Sequence, residues 1–412
     1  MTSRICRLCH EPLRHTFADL GVSPFSNTFL KPEHLNRMEP FYPLHAFVCE
    51  TCFLVQLEEF ESPERIFNDE YAYFSSYSDT WLDHARQYTE QIAARLALDD
   101  QSFVVEIASN DGYLLQYFVQ RNIPVLGIEP SANVAAVARK KGIETLIGFF
   151  GARTARDLVD SRRKADLVIG NNVLAHVPAL NDFVEGLALL LADQGAITME
   201  FPHLLCLMRG NQFDTIYHEH FSYFSFLTVT RLFAAHGLRI FDVDRLPTHG
   251  GSLRIYAAHG NCPRWRDQPS VQELLAEERR AGLDKIATYG AFAKQIAECK
   301  RSLLDFLITA KRAGKTIVGY GAAAKGNTLL NYCGIRTDFV DYTVDRSAHK
   351  QGMFLPGTRI PVFAPSKIFE SKPDYVLILP WNLQDEIVAQ IADIRSWGGK
   401  FVVPIPEVRV LD

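Results

Sequence analysis

The stretch Phe103–Arg121, FVVEIASNDGYLLQYFVQR, decides the fold. FVVEI is a short apolar strand, ASNDG is a turn, and the remainder enters a helix. The same alternation continues downstream. VLGIE (125–129) reads as a second strand and SANVAAVARKKG (131–142) as a helix with Ser131 as cap and Gly142 as stop. ADLVIGNN (165–172), GAITMEF (195–201) and GSLRIYAA (251–258) supply further strands. Upstream, YSDTWLDHARQYTEQIAARLAL (77–98) has amphipathic helical spacing, capped near Ser78 or Asp79. Strands alternating with helices predict a parallel, doubly wound α/β sheet.

The chain is 412 residues long, more than one ordinary core accommodates, so two or three domains are expected. Residues 270–313 read as mostly helical, with a break at Gly282, and connect to a second α/β unit. That unit begins at KTIVGYGAAAKGNTLLNYCG (315–334) and runs through VDYTVDRS, DYVLILPW and KFVVPIP. The expected division is residues 1–68, 69–300 and 301–412. A net charge of −5 offers no basic footprint for nucleic acid. No apolar run reaches the roughly 20 residues of a membrane helix, and the start lacks the apolar core of a signal peptide. A cytoplasmic, reducing setting is the default expectation, in which cysteines serve as thiols or metal ligands. The sequence does not give the oligomeric state.

Four of the eight cysteines fall in two pairs, CRLC (Cys6, Cys9) and CETC (Cys49, Cys52). A segment this small buries too little surface to fold unaided. Four thiolates around one structural Zn²⁺ would supply the missing stability. A redox role for the pairs is disfavoured because no thioredoxin-like βαβ pattern surrounds them. His10 could compete as a ligand. The remaining cysteines (206, 262, 299, 333) are scattered singly.

A ligand of a doubly wound sheet lies over the carboxyl ends of its strands. In the first unit that end is ASNDG, with acids at Glu106 and Asp111 and a single glycine, Gly112, where a dinucleotide would want G-x-G-x-x-G. S-adenosylmethionine has no phosphate but carries an ammonium, a sulfonium and a ribose diol, which suit this turn better; NAD is the rival. Glu129, ending the second strand, is placed to accept the ribose hydroxyls. Ala108, Ser109, Asn110 and Pro130, Phe149 and Phe150 after the third strand, and Asn171, Asn172 and Leu174 after the fourth complete the candidate donor site. Tyr73 and Tyr77 are candidates for a lid. In the second unit Gly321 and Lys325, with Asn327 on the following helix, form an anion site for a diphosphate. Trp381 and Asn382 after a strand end are candidate nucleotide contacts.

DTIYHEHFSYFS (214–225) gathers two histidines and a glutamate among aromatics. By itself it fits a base, a metal site or a hydrogen-bonded core. Glu200 and His203 at a strand end, and His249 and Arg254 in THGGSLR, fit either substrate contacts or bonded turns.

Taken in order, the paired C-x-x-C, VEIASNDGYLL, GNNVLAHV, EFPHL, YHEHFSYFS, THGGSLR, YGAAAKGNTLLNYCGI and VDRSAHKQGMFLPG resemble the sugar C-methyltransferases that act on nucleotide-linked 4-keto deoxysugars. The resemblance spans the whole chain. It implies a zinc-binding N-terminal domain, a central class I (Rossmann-like) S-adenosylmethionine domain and a C-terminal Rossmann-like α/β domain helping to hold a nucleotide-diphosphate sugar. It makes His220 the base, with Tyr217 and Glu219 its neighbours at the sugar. His176, in VLAHVP, lies near the methyl donor by position and fits either a role orienting or stabilising the enolate or a structural one. Ala108 stands where the family more usually has glycine, and DRSAHKQG lacks its Asn-Pro. An extended YHEH would put His220 and Glu219 on opposite faces, so a bend is required there. The competing classes are a zinc-containing O-, N- or nucleic-acid methyltransferase and an oxidoreductase binding NAD in the C-terminal unit.

Overall fold

In the N-terminal unit β1 (His15–Ser23), β2 (Tyr42–Val48) and β3 (Val55–Leu57) pair antiparallel between and beyond the two cysteine knuckles. The chain is described here from a computed structural model covering residues 4–66 and 74–411. Tyr73 lies outside the described residues.

The helix Asp79–Leu96 forms where its capping residue and apolar spacing require it. Ser78 Oγ accepts from the Trp81 amide at 3.3 Å, and Ala97 closes the helix in the left-handed conformation. Its inner face buries Tyr88, Ile92 and Leu96 against the central sheet. Each large apolar side chain so buried contributes about 1.5–3 kcal/mol, which makes Ile92→Asp the change that would detach the helix.

Strands β4 (Val104–Ile107), β5 (Val125–Glu129), β6 (Thr145–Ile147), β7 (Ala165–Asn171) and β8 (Leu191–Pro202) run parallel. The short strand β9 (Ser222–Tyr223) leaves this unit and pairs with β3 of the N-terminal sheet, Tyr223 opposite Val55. β10 (Leu238–Leu246) and β11 (Ser252–His259) return as an antiparallel pair, with β11 against β8. The central order is β10-β11-β8-β7-β4-β5-β6. Chain direction away from the centre reverses between β4 and β7, and a crevice opens above that switch point.

Helices Pro269–Arg280 and Ile286–Arg312 lead to the third sheet, broken at Gly282 as expected. There β12 (Ile317–Tyr320), β13 (Thr343–Val344), β14 (Val362–Phe363), β15 (Tyr375–Ile378) and β16 (Lys400–Val403) are parallel, and β17 (Arg409–Leu411) is antiparallel at the edge. One apolar cluster joins Phe17 and Leu44 of the first sheet, Leu303 of the long helix and Ile317 and Leu329 of the last unit. Phe17 stacks on Phe292 with ring centres 5.0 Å apart. The first and third sheets therefore share a core, while a second cluster packs Cys6, Cys49, Cys52 and Leu54 of the knuckles with Val105, Val168 and Phe201 of the central sheet.

Candidate functional site

The four thiols of Cys6, Cys9, Cys49 and Cys52 lie within 4.8 Å of one another, with Cys6–Cys52 and Cys9–Cys49 at 3.5 Å. A tetrahedral Zn²⁺ with bonds of about 2.3 Å needs sulfurs about 3.8 Å apart, so the donor set and its spacing fit the ion. Gln56 Nε2 donates to Cys6 Sγ at 3.2 Å, the outer hydrogen bond such a site requires. His10 is exposed and outside the cluster.

A cavity of about 1620 Å³ opens above the switch point, with walls from all three units. That exceeds the 300–1,000 Å³ typical of a pocket for one small ligand and leaves room for two. On the β4 side the turn is tight. Ala108 (φ 55°), Asn110 (φ 49°) and Gly112 (φ 76°) all adopt left-handed conformations. A Cβ on Gly112 would meet Ile143 Cδ1 at 2.3 Å, so glycine is required there; Ala108 tolerates the strain at a cost of about 1 kcal/mol. Glu129 closes the turn. Its two oxygens accept from the Asn110 and Ser131 amides, both at 3.0 Å, while its side chain faces the cavity. Burial raises its carboxyl above the usual range, and those two amides oppose the rise. Asn110 also ties in the upstream segment by accepting from the Ser75 amide at 2.8 Å.

Pro130, Phe149, Phe150, Asn171 and Asn172 line the same wall. Both amide atoms of the Asn171 side chain are buried with no partner among the described residues, and polar atoms so placed call for a ligand. Tyr77 is exposed, on a turn of 3₁₀-helix away from this wall. Glu106, Ser109, Asp111 and Leu174 are buried but off the cavity wall. Glu106 alternates with Ile107 along β4 and so faces the opposite side, and Asp111 turns to Lys141 at 3.5 Å.

The opposite wall carries Tyr217, Glu219, His220 and His176. The required bend is present, with the His220 amide bonding back to the Tyr217 carbonyl at 2.9 Å. It sends His218 the other way, where Nε2 donates to the Pro43 carbonyl at 3.1 Å between the rings of Phe25, Tyr42 and Phe60. His220 Nδ1 meets the Thr215 carbonyl at 2.9 Å. A carbonyl only accepts, so the proton sits on Nδ1 and the Nε2 lone pair is free to accept from Tyr217 Oη at 2.8 Å. Burial, then the neighbouring His176 ring 4.8 Å away, push the His220 imidazole well below its ordinary pKa. His176 itself is pushed down to about 4 by burial. Both rings are neutral at neutral pH. Burial drives the Glu219 carboxyl up to about 7, opposed by the Asn27 side-chain amide, which donates to Oε1 at 2.7 Å.

Lys325 and Asn382 contribute the C-terminal wall. Lys325 Nζ donates to Asn382 Oδ1 at 2.7 Å and lies 4.6 Å above the Trp381 ring. Trp381 sits behind, its indole N–H donating to the fully buried Asp214 at 2.8 Å. Gly321 (φ 94°) is held against Pro380, where a Cβ would come within 2.5 Å of Cδ, and Asn327 Nδ2 donates to the Ser26 carbonyl at 2.6 Å. Both secure the fold beside the cavity rather than line it. His249 lines the cavity and accepts from Asn172 Nδ2 at 3.3 Å. Glu200 and Arg254 lie behind it in a buried network. Arg254 Nη2 and Thr248 Oγ1 donate to Glu200, and His84 meets the same carboxylate at 3.0 Å. Burial alone would raise Glu200; His84 and Arg254 outweigh it and bring the carboxyl below its usual range. His203 is paired with buried Glu278 at 2.7 Å, and Glu278 accepts from the Phe226 and Leu227 amides at the start of the helix Phe226–Ala235. Asn27, Trp81, His84 and Asp214 carry no local motif and escaped the sequence reading. The helical run and the 214–225 segment marked the neighbourhoods of the last three.

Three family models match along the chain: "Putative zinc binding domain" at residues 6–67, "Methyltransferase domain" at 81–243 and "C-methyltransferase C-terminal domain" at 247–406. C-methyltransferase NovU of Streptomyces niveus is 36% identical over 406 residues, 98% of this chain and 96% of that protein. The chain belongs to the S-adenosylmethionine-dependent C-methyltransferases. Among solved structures, a protein of Pyrococcus horikoshii OT3 matches at 15% identity and a TM-score of 0.38, covering 48% of this chain and 99% of that one. Magnesium protoporphyrin IX methyltransferase of Synechocystis PCC 6803 matches at 18% identity and a TM-score of 0.35, covering 48% and 92%. The expected fold class stands: a zinc-binding N-terminal region, a Rossmann-like methyltransferase sheet and further α/β structure. In this C-methyltransferase, the unpartnered Asn171 amide and the Glu129 carboxylate at the switch point suit the polar groups of S-adenosylmethionine. No helix among the described residues is long and apolar enough to cross a membrane.

Proposed function

We propose that this C-methyltransferase methylates the carbon beside the ketone, C-3, of a nucleotide-linked 4-keto-6-deoxyhexose in branched deoxysugar biosynthesis, with His220 as the base. The observation that carries the reading is the His220 ring, its proton fixed on Nδ1 by Thr215 and its Nε2 lone pair directed toward Tyr217 on the cavity wall. A carbon next to a carbonyl releases a proton only to a positioned base. The C–H bond breaks, its proton goes to Nε2, and its electron pair moves toward the ketone oxygen. When bound, S-adenosylmethionine would supply an electrophilic methyl group: the electron pair returns to the carbon to form the new bond, and the methyl–sulfur bond breaks with its pair left on the departing thioether.

Tyr217 holds the His220 Nε2 lone pair in the free enzyme. With the sugar bound its hydroxyl turns to the ketone oxygen, which frees Nε2 for the proton and supplies a donor to the oxyanion as charge builds. Glu219 and His176 line the same cavity wall and would border the reacting sugar. Glu129 would accept the ribose hydroxyls of the donor, Asn110, Asn171 and Asn172 would hold its methionine end, and Phe149 and Phe150 would contact adenine. Lys325 offers an ammonium to the diphosphate, with Asn382 beside it, which assigns residues 301–412 to the nucleotide and 69–300 to the donor. NovU, named as a C-methyltransferase, supports the reaction type. The test is a screen of dTDP- and GDP-linked 4-keto-6-deoxysugars with labelled methyl donor, read by mass spectrometry. A product heavier by one methyl on carbon is expected. Methylation confined to oxygen, nitrogen or nucleic acid would overturn the reading.

A further inference from the structure

The loop Pro24–Leu30, between β1 and β2 of the zinc-bearing unit, is fastened on three sides. Its Ser26 carbonyl accepts from Asn327 of the C-terminal unit, and the Leu30 and Phe354 amides and carbonyls bond reciprocally at 2.9 Å. Its third attachment is Asn27, whose side-chain amide reaches across 192 positions of sequence to Glu219 Oε1. Both Asn27 and Glu219 line the cavity, and Glu219 is only 5% exposed. A zinc unit serving stability alone would have no need to place a polar side chain on a buried carboxyl inside the methyl-transfer cavity.

We infer that Asn27 is a positioning residue, through which the zinc-bearing unit orients the Glu219 carboxyl toward the acceptor sugar. The inference rests on the proposed role of Glu219 at the sugar. With Oε1 held by Asn27, Oε2 is the oxygen left to address a sugar hydroxyl. Burial pushes the carboxyl up to about 7, and Asn27 is the polar group that opposes this. The titratable groups beside it on the wall are His176, after β7, and Tyr217 and His220 on its own turn; His218 lies behind the bend. Both histidines on the wall are held neutral, so the amide of Asn27 is the group whose loss the carboxyl should register.

The experiment uses the full chain with its zinc. Glutamate is labelled with ¹³C at the carboxyl, and the Glu219 resonance is identified by its disappearance in Glu219→Gln. In the free enzyme Asn27→Ala should move that resonance and raise its midpoint, because a hydrogen bond to the charged form has been removed. Zinc content should stay unchanged, and the thermal transition should fall by no more than the loss of one buried hydrogen bond brings. An unmoved resonance overturns the inference whatever the substrate proves to be. With the nucleotide sugar found in the screen, Asn27→Ala should lower kcat about tenfold to a hundredfold and leave the donor KM alone. That loss should vanish in the Glu219→Gln background. Independent, multiplying losses would refute positioning. Full activity of Glu219→Gln would instead refute the acceptor-site role of Glu219, leaving the spectroscopic result to stand by itself.

Discussion

Replacing Glu129 by alanine should affect two properties together, and the structure says by how much. The carboxylate accepts from the Asn110 and Ser131 amides, each at 3.0 Å, in a place only 4% exposed. Leaving a buried amide without an acceptor costs about 1–3 kcal/mol, so the pair costs about 2–6 kcal/mol before any ligand is considered. The β4 turn then loses the anchor that holds Asn110 left-handed, and with it the acceptor proposed for the donor ribose. Losing a hydrogen bond to a charged group weakens binding by about 1.5–3 kcal/mol, or about tenfold to a hundredfold. Scanning calorimetry should show the central unit unfolding several degrees lower, and titration calorimetry should show the weaker donor affinity. Glu129→Gln gives an internal control. Its one oxygen can accept from only one amide, while its NH₂ faces the other, so it should fall between wild type and alanine. Unchanged S-adenosylmethionine affinity with an unchanged transition would refute the assignment. Lost stability with full affinity would make Glu129 a brace for the turn and nothing more.

His220→Asn should lower turnover by about 10²–10⁴-fold while both ligands still bind, measured by single-turnover kinetics and calorimetry. Protonation of His220 removes the lone pair, and its pKa is held well below 6.5, so kcat/KM should fall only as the pH drops below that value. The Glu219 carboxyl, raised to about 7, titrates nearby, so the profile is read in Glu219→Gln, where an acid limb at or above pH 6.5 would contradict this. Elemental analysis should give about one zinc per chain, and Cys52→Ser should lower both zinc content and the thermal transition. A folded, active, metal-free protein would exclude the structural site. Lys325→Ala should raise the KM for the nucleotide sugar and spare the donor; the reverse pattern would exchange the roles of the two units.

What could be read in the chain beforehand depended on range. Ser78 caps its own helix three residues on, and the β4 turn announces itself within five residues, so local physics exposes both. The paired cysteines were legible because few other chemistries want that spacing. The sorting of the site was not. Whether Glu106 or Ile107 faces the crevice is set by sheet register, which puts the acid on the far side. Glu200, His203 and Arg254 look like substrate ligands in isolation, but their charges are spent on His84, Glu278 and each other, partners distant in sequence. The bend at Tyr217–His220 was expected because an extended strand could not serve one substrate, and it alone separates His218 from the cavity.

The pairing of β9 with β3 bears on how this chain can be cut and rejoined. The N-terminal sheet is finished by Ser222 and Tyr223, so its last strand is synthesised long after its first three, and the sheet is incomplete until the segment carrying His220 has left the ribosome. A chimera that exchanged residues 6–67 for those of a relative would present a foreign edge to β9, which begins two residues after His220. The unit that can be swapped is thus discontinuous, the N-terminal sheet together with residues 214–225. Recombination that respects the linear boundary alone would strike the Tyr217–His220 bend first.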